Sequence, residues 1–277
     1  MLSVVSRSLT YACAGLYAVL GALLYFLPES LATVFAWKVS PFMTMTIGGW
    51  CLGNVWLAWM SARRWDWRLV YSGLIYLWLF GILELGVLLA FNGKVNLSHP
   101  IAWLYVGTLA VNGLTAAVGI ADWFRIRPAR ERFGAESAGW QRFAALAFVI
   151  FVGFLGLYGF IARVGWPATQ GGIFPEEMSS FTLRSFAAFY FSLVVAAIPL
   201  IRERSLPVLL NHSIVNYGLI IFITAAAFIY IRLFDFAARP GGLLYFGAYL
   251  VVGIPLLFVF AKHGTGARKD GRVPNPA

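Results

Sequence analysis

The sequence predicts an all-α polytopic membrane protein, with eight transmembrane helices arranged as two parallel four-helix repeats. Composition, the number of long apolar segments and the register between the two halves of the chain support this prediction. Of the 277 residues, 61% are apolar and only 12% are charged, and the mean hydropathy is +0.79. In soluble domains, about a quarter of all residues are usually charged. Lipid must therefore solvate most of the surface.

Eight apolar segments are each long enough, as helices rising 1.5 Å per residue, to cross roughly 30 Å of hydrocarbon. The strand-length alternation of a membrane barrel does not appear in them. The predicted spans are 9–27, 42–60, 69–91, 101–121, 143–162, 181–201, 207–231 and 241–261. The first segment has no A-x-A site before Pro28, which favours a retained helix over a cleaved signal peptide. Its stripe of Ala14, Ala18 and Ala22 predicts close helix packing.

An arginine-rich stretch, residues 125–142, separates the two groups of four spans and is predicted to be a hinge. The predicted organisation is therefore a first repeat at 1–124, the hinge at 125–142, a second repeat at 143–262 and a flexible basic tail at 263–277. Loops on the hinge side carry 15 of the 21 Lys and Arg residues. The positive-inside rule then places the hinge and both termini in the cytoplasm, which predicts a bacterial inner-membrane protein.

An offset of 140 residues aligns the two halves without a gap from Arg64 to Ala121. The shared positions of the fourth and eighth spans are Pro100, Leu104, Tyr105, Gly107, Val111, Gly113 and Ala121, matched by Pro240, Leu244, Tyr245, Gly247, Val251, Gly253 and Ala261. Duplication explains this register, and chance similarity between Leu- and Gly-rich helices is the alternative. Because each half has an even number of spans, both copies would have the same orientation.

The start of the second span in each half has a related pattern. The segment PFMTMTIGGW at 41–50 aligns with FTLRSFAAFY at 181–190, with Thr44 in the first copy where the second has Arg184. This pattern resembles a repeated helix-start motif of uncharacterised bacterial multi-span membrane proteins. The resemblance implies a multi-span helical fold and carries no known activity.

Glu84 is the one carboxylate well inside a predicted span, about 10 Å from its outer end. An ionisable group at that depth needs a partner, a proton or water. Glu84 is therefore either a proton- or cation-coupling site or a structural group. We expect it to face the bundle interior, with Arg184 or Arg232 as its partner. An outward-opening polar pocket would collect the candidate binding residues Glu84, Arg184, Arg232, Asp235 and His99, with Lys94 nearby.

Other polar groups within the spans have a structural and a functional interpretation. His212 is a candidate proton or quinone contact or an ordinary interfacial histidine. Arg232 and Asp235 are spaced to form an ion pair on one helical face. Asn54 and Asn112 are typical of amides that hydrogen-bond between helices. Cys13 and Cys51 lie in apolar segments and are expected to be packed small side chains.

Recognisable catalytic and cofactor motifs are missing from the sequence. The histidines are scattered rather than paired or clustered, so no haem, zinc or other cofactor is predicted. The basic residues lie in short clusters between spans, which argues against nucleic acid as a partner. The leading function is a subunit, assembly factor or lipid- or pigment-contacting scaffold, with membrane lipids and other membrane proteins as partners. The alternatives are a small-solute transporter or channel using Glu84, and a lipid- or isoprenoid-modifying enzyme.

Overall fold

A computed structural model describes residues 1–129, 133–164, 176 and 178–263. This part of the chain is helical and contains no β-strand. The helices are α1 (Val4–Phe26), a short α2 (Pro28–Leu31), α3 (Pro41–Arg64), α4 (Trp67–Ala90), α5 (Pro100–Ile126), α6 (Gly139–Ile161), α7 (Ser180–Ala197), α8 (Leu206–Ile229) and α9 (Gly242–His263). The predicted all-α class is confirmed.

Six helices in the described residues are long and apolar enough to cross a membrane, namely α1, α4, α5, α6, α7 with its 3-10 extension to Arg202, and α8. The chain is therefore a helical membrane protein by the length and composition of its helices. Helix α3 is 24 residues long but less apolar, because it carries buried Thr44, Thr46 and Asn54. The count of eight spans stays a prediction for α3 and α9.

Local capping explains where the helices begin. Ser40 precedes α3, and its Oγ accepts a hydrogen bond from the Met43 backbone N–H at 3.1 Å. Pro41 occupies the first helical position, where no N–H donor is needed. Ser179 caps α7 in the same way, accepting from the Thr182 N–H at 3.2 Å. These caps fix both helix starts within one residue of the predicted positions 42 and 181.

The helices pack into a bundle whose centre contains α3, α4, α7 and α8. Helix α1 packs on α3 and α5, and α6 packs on α7. Between the two halves, α3 packs on α8 and α4 packs on both α7 and α8. The largest buried cluster of apolar side chains runs through these interfaces. Glu84 lies on α4, one of the central helices.

Glycines set the closest approach between helices α1 and α3. A Cβ at Gly48 would lie 2.6 Å from the Tyr25 backbone nitrogen, and one at Gly21 would lie 2.9 Å from Cys51 Cβ. The predicted alanine stripe indicated the correct helix, yet Ala18 and Ala22 are only half-buried. The tight contact on α1 therefore lies at Gly21, where the absence of a side chain allows the backbones to meet.

The segment between the two halves is attached to the bundle at its described end. The Ser137 N–H donates to the Arg204 carbonyl at 2.7 Å, and the Leu206 N–H donates to the Ala135 carbonyl at 2.8 Å. Helix α5 continues to Ile126 and α6 starts at Gly139, so both helices extend into the stretch predicted as hinge. Residues 130–132 of that stretch, and 264–277 of the predicted tail, lie outside the described residues.

Candidate functional site

Glu84 lies at the centre of the bundle and is only 2% exposed. The Tyr105 hydroxyl of α5 donates a hydrogen bond to Glu84 Oε1 at 2.8 Å. The prediction that Glu84 faces the bundle interior is confirmed. Its bonding partner, however, is a neutral phenol from the same half of the chain rather than an arginine.

The second carboxylate oxygen of Glu84 has no hydrogen-bond partner among the described residues. On the facing helix α7, the Ser185 hydroxyl is placed to donate to the carboxylate, and it has no other hydrogen-bond partner among the described residues. Glu84 therefore lies between the two halves, with Tyr105 of the first half bonded to one oxygen and Ser185 of the second half beside the carboxylate. A buried carboxylate oxygen usually has a donor, and the Ser185 hydroxyl is the one available from the facing helix.

Further polar side chains surround this carboxylate. We call the following residues the core polar cluster: Cys51 and Asn54 of α3, Tyr76 and Glu84 of α4, Tyr105 of α5 and Ser185 of α7. Cys51 and Tyr76 lie near Glu84, and Tyr105 bonds to it. Asn54 lies beside Tyr76, where the two side chains are placed to hydrogen-bond to each other. Four helices from both halves thus contribute to one buried polar region.

Aromatic rings cover this cluster on the side where α3 and α7 begin. The ring of Trp37 stacks on Phe181, with centroids 4.1 Å apart, and lies 5.2 Å from the ring of Tyr105. Trp37 Nε1 also donates to Thr182 Oγ1 at 3.0 Å. We call Phe35, Trp37, Phe91 and Phe181 the aromatic lid. Two of these rings pack against Tyr105, the residue that donates to Glu84, and the outward-opening polar pocket stays a prediction.

Arg184 has a different role from the predicted one. Its Nη1 donates to the carbonyl oxygens of Gly159 at 2.6 Å and Ala162 at 2.9 Å. Carbonyls at a helix C-terminus lack intrahelical donors and carry partial negative charge, so they attract a cation. The guanidinium thus closes the end of α6 and does not neutralise Glu84.

Three other predicted site residues lie outside the cluster. Asp235 is exposed and accepts from the Ala238 N–H at 3.0 Å, and it forms no ion pair with the exposed Arg232 within the described chain. The predicted Arg232–Asp235 pair is therefore wrong, as is an Arg232 partner for Glu84. His99 Nδ1 accepts from the Ile101 N–H at 3.3 Å and caps α5. Asp235 thus stabilises a loop, and His99 stabilises the start of α5.

His212 lies on α8, nearer the hinge side of the bundle. Its Nδ1 lies 2.9 Å from Ser72 Oγ and 3.2 Å from Asn216 Nδ2. The preceding residue, Asn211, accepts a hydrogen bond from Arg64 and donates to the Leu69 carbonyl at 2.7 Å. We call Arg64, Ser72, Asn211, His212 and Asn216 the hinge-side polar group.

A second carboxylate lies beyond the aromatic lid, outside the helices. Glu176 accepts a hydrogen bond from the hydroxyl of Ser40, the residue that caps α3. Partial burial raises the pKa of Glu176, and the Ser40 hydroxyl opposes that shift by stabilising the carboxylate. In the described residues, no group of three or more His, Cys, Asp and Glu side chains is arranged to hold a metal ion.

Sequence reasoning missed Tyr76, Tyr105 and Ser185 as site residues. Spacing carried little of the signal, because the eight residues between Tyr76 and Glu84 turn the helix by about 80° and the partners of Glu84 come from other helices. Comparison with known proteins adds no assignment: no family model, curated protein or solved structure matches this chain.

Proposed function

We propose that the protein is a small proton-coupled transporter in which Glu84 binds the coupling proton. The observation that carries this proposal is a fully enclosed carboxylate without a basic partner, located where helix α4 of one half meets helix α7 of the other. Substrate and ion sites of transporters built from repeats lie near the membrane midplane, at the interface between the repeats. Intramembrane carboxylates commonly serve as proton relays.

The proposed transporter has eight spanning helices in two parallel repeats. Helix packing supports this arrangement. The offset of 140 residues makes α7 the counterpart of α3 and α8 the counterpart of α4. Helix α3 packs on α8, and the corresponding pair, α7 with α4, is also in contact. Tyr105 and Tyr245, 140 positions apart, each lie near the α3 start, against Trp37 and Phe42 respectively. Both tyrosine-bearing helices therefore start from the same side of the bundle, as a parallel repeat demands.

The proposed setting is a bacterial inner membrane, with both termini and the hinge in the cytoplasm and the aromatic lid facing outwards. The distribution of Lys and Arg between the loops supports this orientation. The transporter is proposed to work without a cofactor and without nucleic acid. The repeated helix-start motif at 41–50 and 181–190 is proposed to mark a wider group of bacterial membrane proteins with this architecture.

A second candidate function is a non-catalytic subunit or scaffold that contacts lipids or another membrane protein. Helix α6 favours the scaffold function, because only 22% of its most apolar 18-residue stretch is buried within the protein. Its outward face carries Phe143, Ile150, Phe154, Leu157 and Ile161, each more than half exposed. Such a face contacts either lipid chains or a helix of a partner.

The test is voltage-driven proton movement in liposomes containing the purified protein and an internal pH-sensitive dye. We expect wild-type protein to acidify or alkalinise the lumen according to the imposed potential, and Glu84→Gln to abolish this movement. Asp235→Asn is the matched control, because it removes an exposed carboxylate. Wild-type liposomes that move no protons would overturn the proposal and favour the scaffold.

A further inference from the structure

Helix α6 is the least enclosed of the six helices that are long and apolar enough to span the membrane in the described chain. Only 22% of its most apolar 18-residue stretch is buried, compared with 44% for α1, the first helix of the other half. Helix α1 packs closely on both α3 and α5, whereas α6 packs closely on α7 and only lightly on α9. One face of α6 is therefore left uncovered by the described residues.

The uncovered face of α6 contains an open groove with a volume of about 500 Å³, which we call the α6 groove. Its side chains recur at intervals of three and four residues, so they form one stripe along the helix. This volume falls in the range of small-molecule sites, about 300–1,000 Å³. The lining residues are all apolar, namely Phe143, Leu146, Ala147, Ile150, Phe151 and Phe154.

The α6 groove has the length of one leaflet of a bilayer. Phe143 and Phe154 are 11 residues apart. The helical rise over that interval is about 16 Å, which is about half of the roughly 30 Å of hydrocarbon in a bilayer. The groove starts near Gly139, where α6 begins on the hinge side. It therefore runs beside the acyl chains of the hinge-side leaflet.

Amphipathic and cationic side chains lie at the hinge end of the α6 groove. Trp140 is 54% exposed and continues the apolar stripe beyond the groove, as tryptophans do at the depth of lipid headgroups. Arg142 precedes Leu146 by four residues, so the two side chains are neighbours on the helix surface. The 3-10 segment Ile198–Arg202 packs on α6 and ends in the exposed Arg202.

The Arg142 guanidinium has no counter-ion among the described residues. Its Nε is buried and has no hydrogen-bond partner in that part of the chain, and it forms no ion pair there. Glu203, which follows Arg202, instead accepts hydrogen bonds from the Tyr71 hydroxyl and the Ser205 N–H. An unpaired cation at the edge of an apolar groove complements a ligand that has an anionic head and an apolar chain.

We propose that the α6 groove binds an acyl chain of an anionic phospholipid from the hinge-side leaflet, with Arg142 contacting the phosphate. A guanidinium donates two parallel N–H groups to phosphate oxygens, and this contact would satisfy the buried Nε. A helix of a partner protein is the competing occupant of the same face. The lipid accounts for both the length of the stripe and the charge at its end. This site does not depend on proton coupling at Glu84.

The first experiment counts lipids bound to the purified full-length protein by native mass spectrometry. Dioleoyl phosphatidylglycerol and dioleoyl phosphatidylcholine are the probes, and we expect wild-type protein to retain the first and lose the second. Arg142→Gln should weaken phosphatidylglycerol binding about fivefold, because one basic residue near a charged headgroup is lost. Arg142→Lys should restore most of this binding. The matched control is Arg63→Gln, which removes an exposed arginine at the end of α3 and should bind like the wild type.

A second pair of variants tests the groove itself. Ala147→Trp fills the groove, whereas Ala144→Trp adds the same side chain at an exposed position of α6 outside it. We expect only Ala147→Trp to weaken phosphatidylglycerol binding. Glycerol 3-phosphate, which has the charge without the chains, should not displace the lipid, and displacement would assign the site to a free phosphate instead.

Two results would overturn the lipid site. One is phosphatidylglycerol binding that stays at the wild-type level in both Arg142→Gln and Ala147→Trp. The other is a partner protein that crosslinks to position 150 in native membranes and excludes phosphatidylglycerol, since a protein helix would then occupy the α6 groove.

Discussion

The Tyr105 hydroxyl donates to Glu84 Oε1 across the α4–α5 interface, while the ring of the same tyrosine packs against Trp37. One side chain therefore contacts both the buried carboxylate and the aromatic lid. A change at Glu84 that lengthened this hydrogen bond would act directly on the ring that supports the lid.

We expect Tyr105→Phe to destabilise the protein in detergent by about 1–3 kcal/mol. The substitution keeps the ring and its contacts with the lid but removes the donor to Oε1 of a buried carboxylate. Thermal unfolding should show a lower midpoint than for Tyr11→Phe, whose half-buried ring keeps its edge contact with Trp59. Equal midpoints for the two variants would contradict a stabilising Tyr105–Glu84 bond.

Two glycine substitutions should shift stability in opposite directions. Gly48→Ala would press a methyl group against the Tyr25 backbone at 2.6 Å, and overpacking of this kind costs about 1–3 kcal/mol. Gly107→Ala meets no atom within 4 Å and should stabilise α5 by about 0.5–1 kcal/mol, because alanine loses less backbone entropy. Midpoints of unfolding measured side by side provide the check, and a stabilised Gly48→Ala would refute the close α1–α3 contact.

The sequence was sufficient to predict helix positions, because Ser40 with Pro41 and Ser179 mark helix starts through local hydrogen bonds that sequence reveals. The burial of Glu84 followed from its apolar neighbours. Its partner did not, since the rotation of α5 about its axis decides whether Tyr105 meets it. Charge complementarity suggested Arg184, but the unpaired carbonyls at the α6 end attract that guanidinium instead. Tertiary geometry of this kind is not encoded in local patterns.

The Asp66–Arg68 ion pair at the start of α4 should make stability depend on pH. Hydrogen bonds from Arg68 hold the pKa of Asp66 below its usual value of 3.8. A lowered pKa in the folded state means that the stabilisation is present above about pH 4 and is lost as the pH falls through the lowered value. Asp66→Asn keeps a capping side chain and removes the charge.

We expect Asp66→Asn to lower the free energy of unfolding by about 0.3–1 kcal/mol at pH 7. The effect is small because the Arg68 side chain is 41% exposed, so water screens the ion pair. Unfolding in detergent at pH 7 and pH 3 would measure it. The gap between wild type and variant should shrink at pH 3, and a gap that widened in acid would contradict the ion pair.

The proposed orientation can be checked with single cysteines on opposite sides of the bundle. Gly93→Cys lies in an exposed turn with no atom within 4 Å of its Cβ, and Ala135→Cys lies in the exposed segment after α5. The native Cys13 and Cys51 are buried and should not react. A membrane-impermeant thiol reagent added to intact cells should label position 93 and spare position 135. The opposite result would reverse the topology.

The first residues of the chain hydrogen-bond to the end of helix α5, the last helix of the first half. The Ser3 N–H and both the Ser3 and Ser6 hydroxyls donate to Asp122, near the end of α5, and Trp65 Nε1 donates to the Leu2 carbonyl at 3.2 Å. These bonds need no residue beyond 122. During biosynthesis, the first four long helices would therefore close into a unit as soon as α5 has entered the membrane. Glu84 would already have Tyr105 as its donor at that stage, so the nascent half would not hold a bare carboxylate in lipid while the second half is still being made.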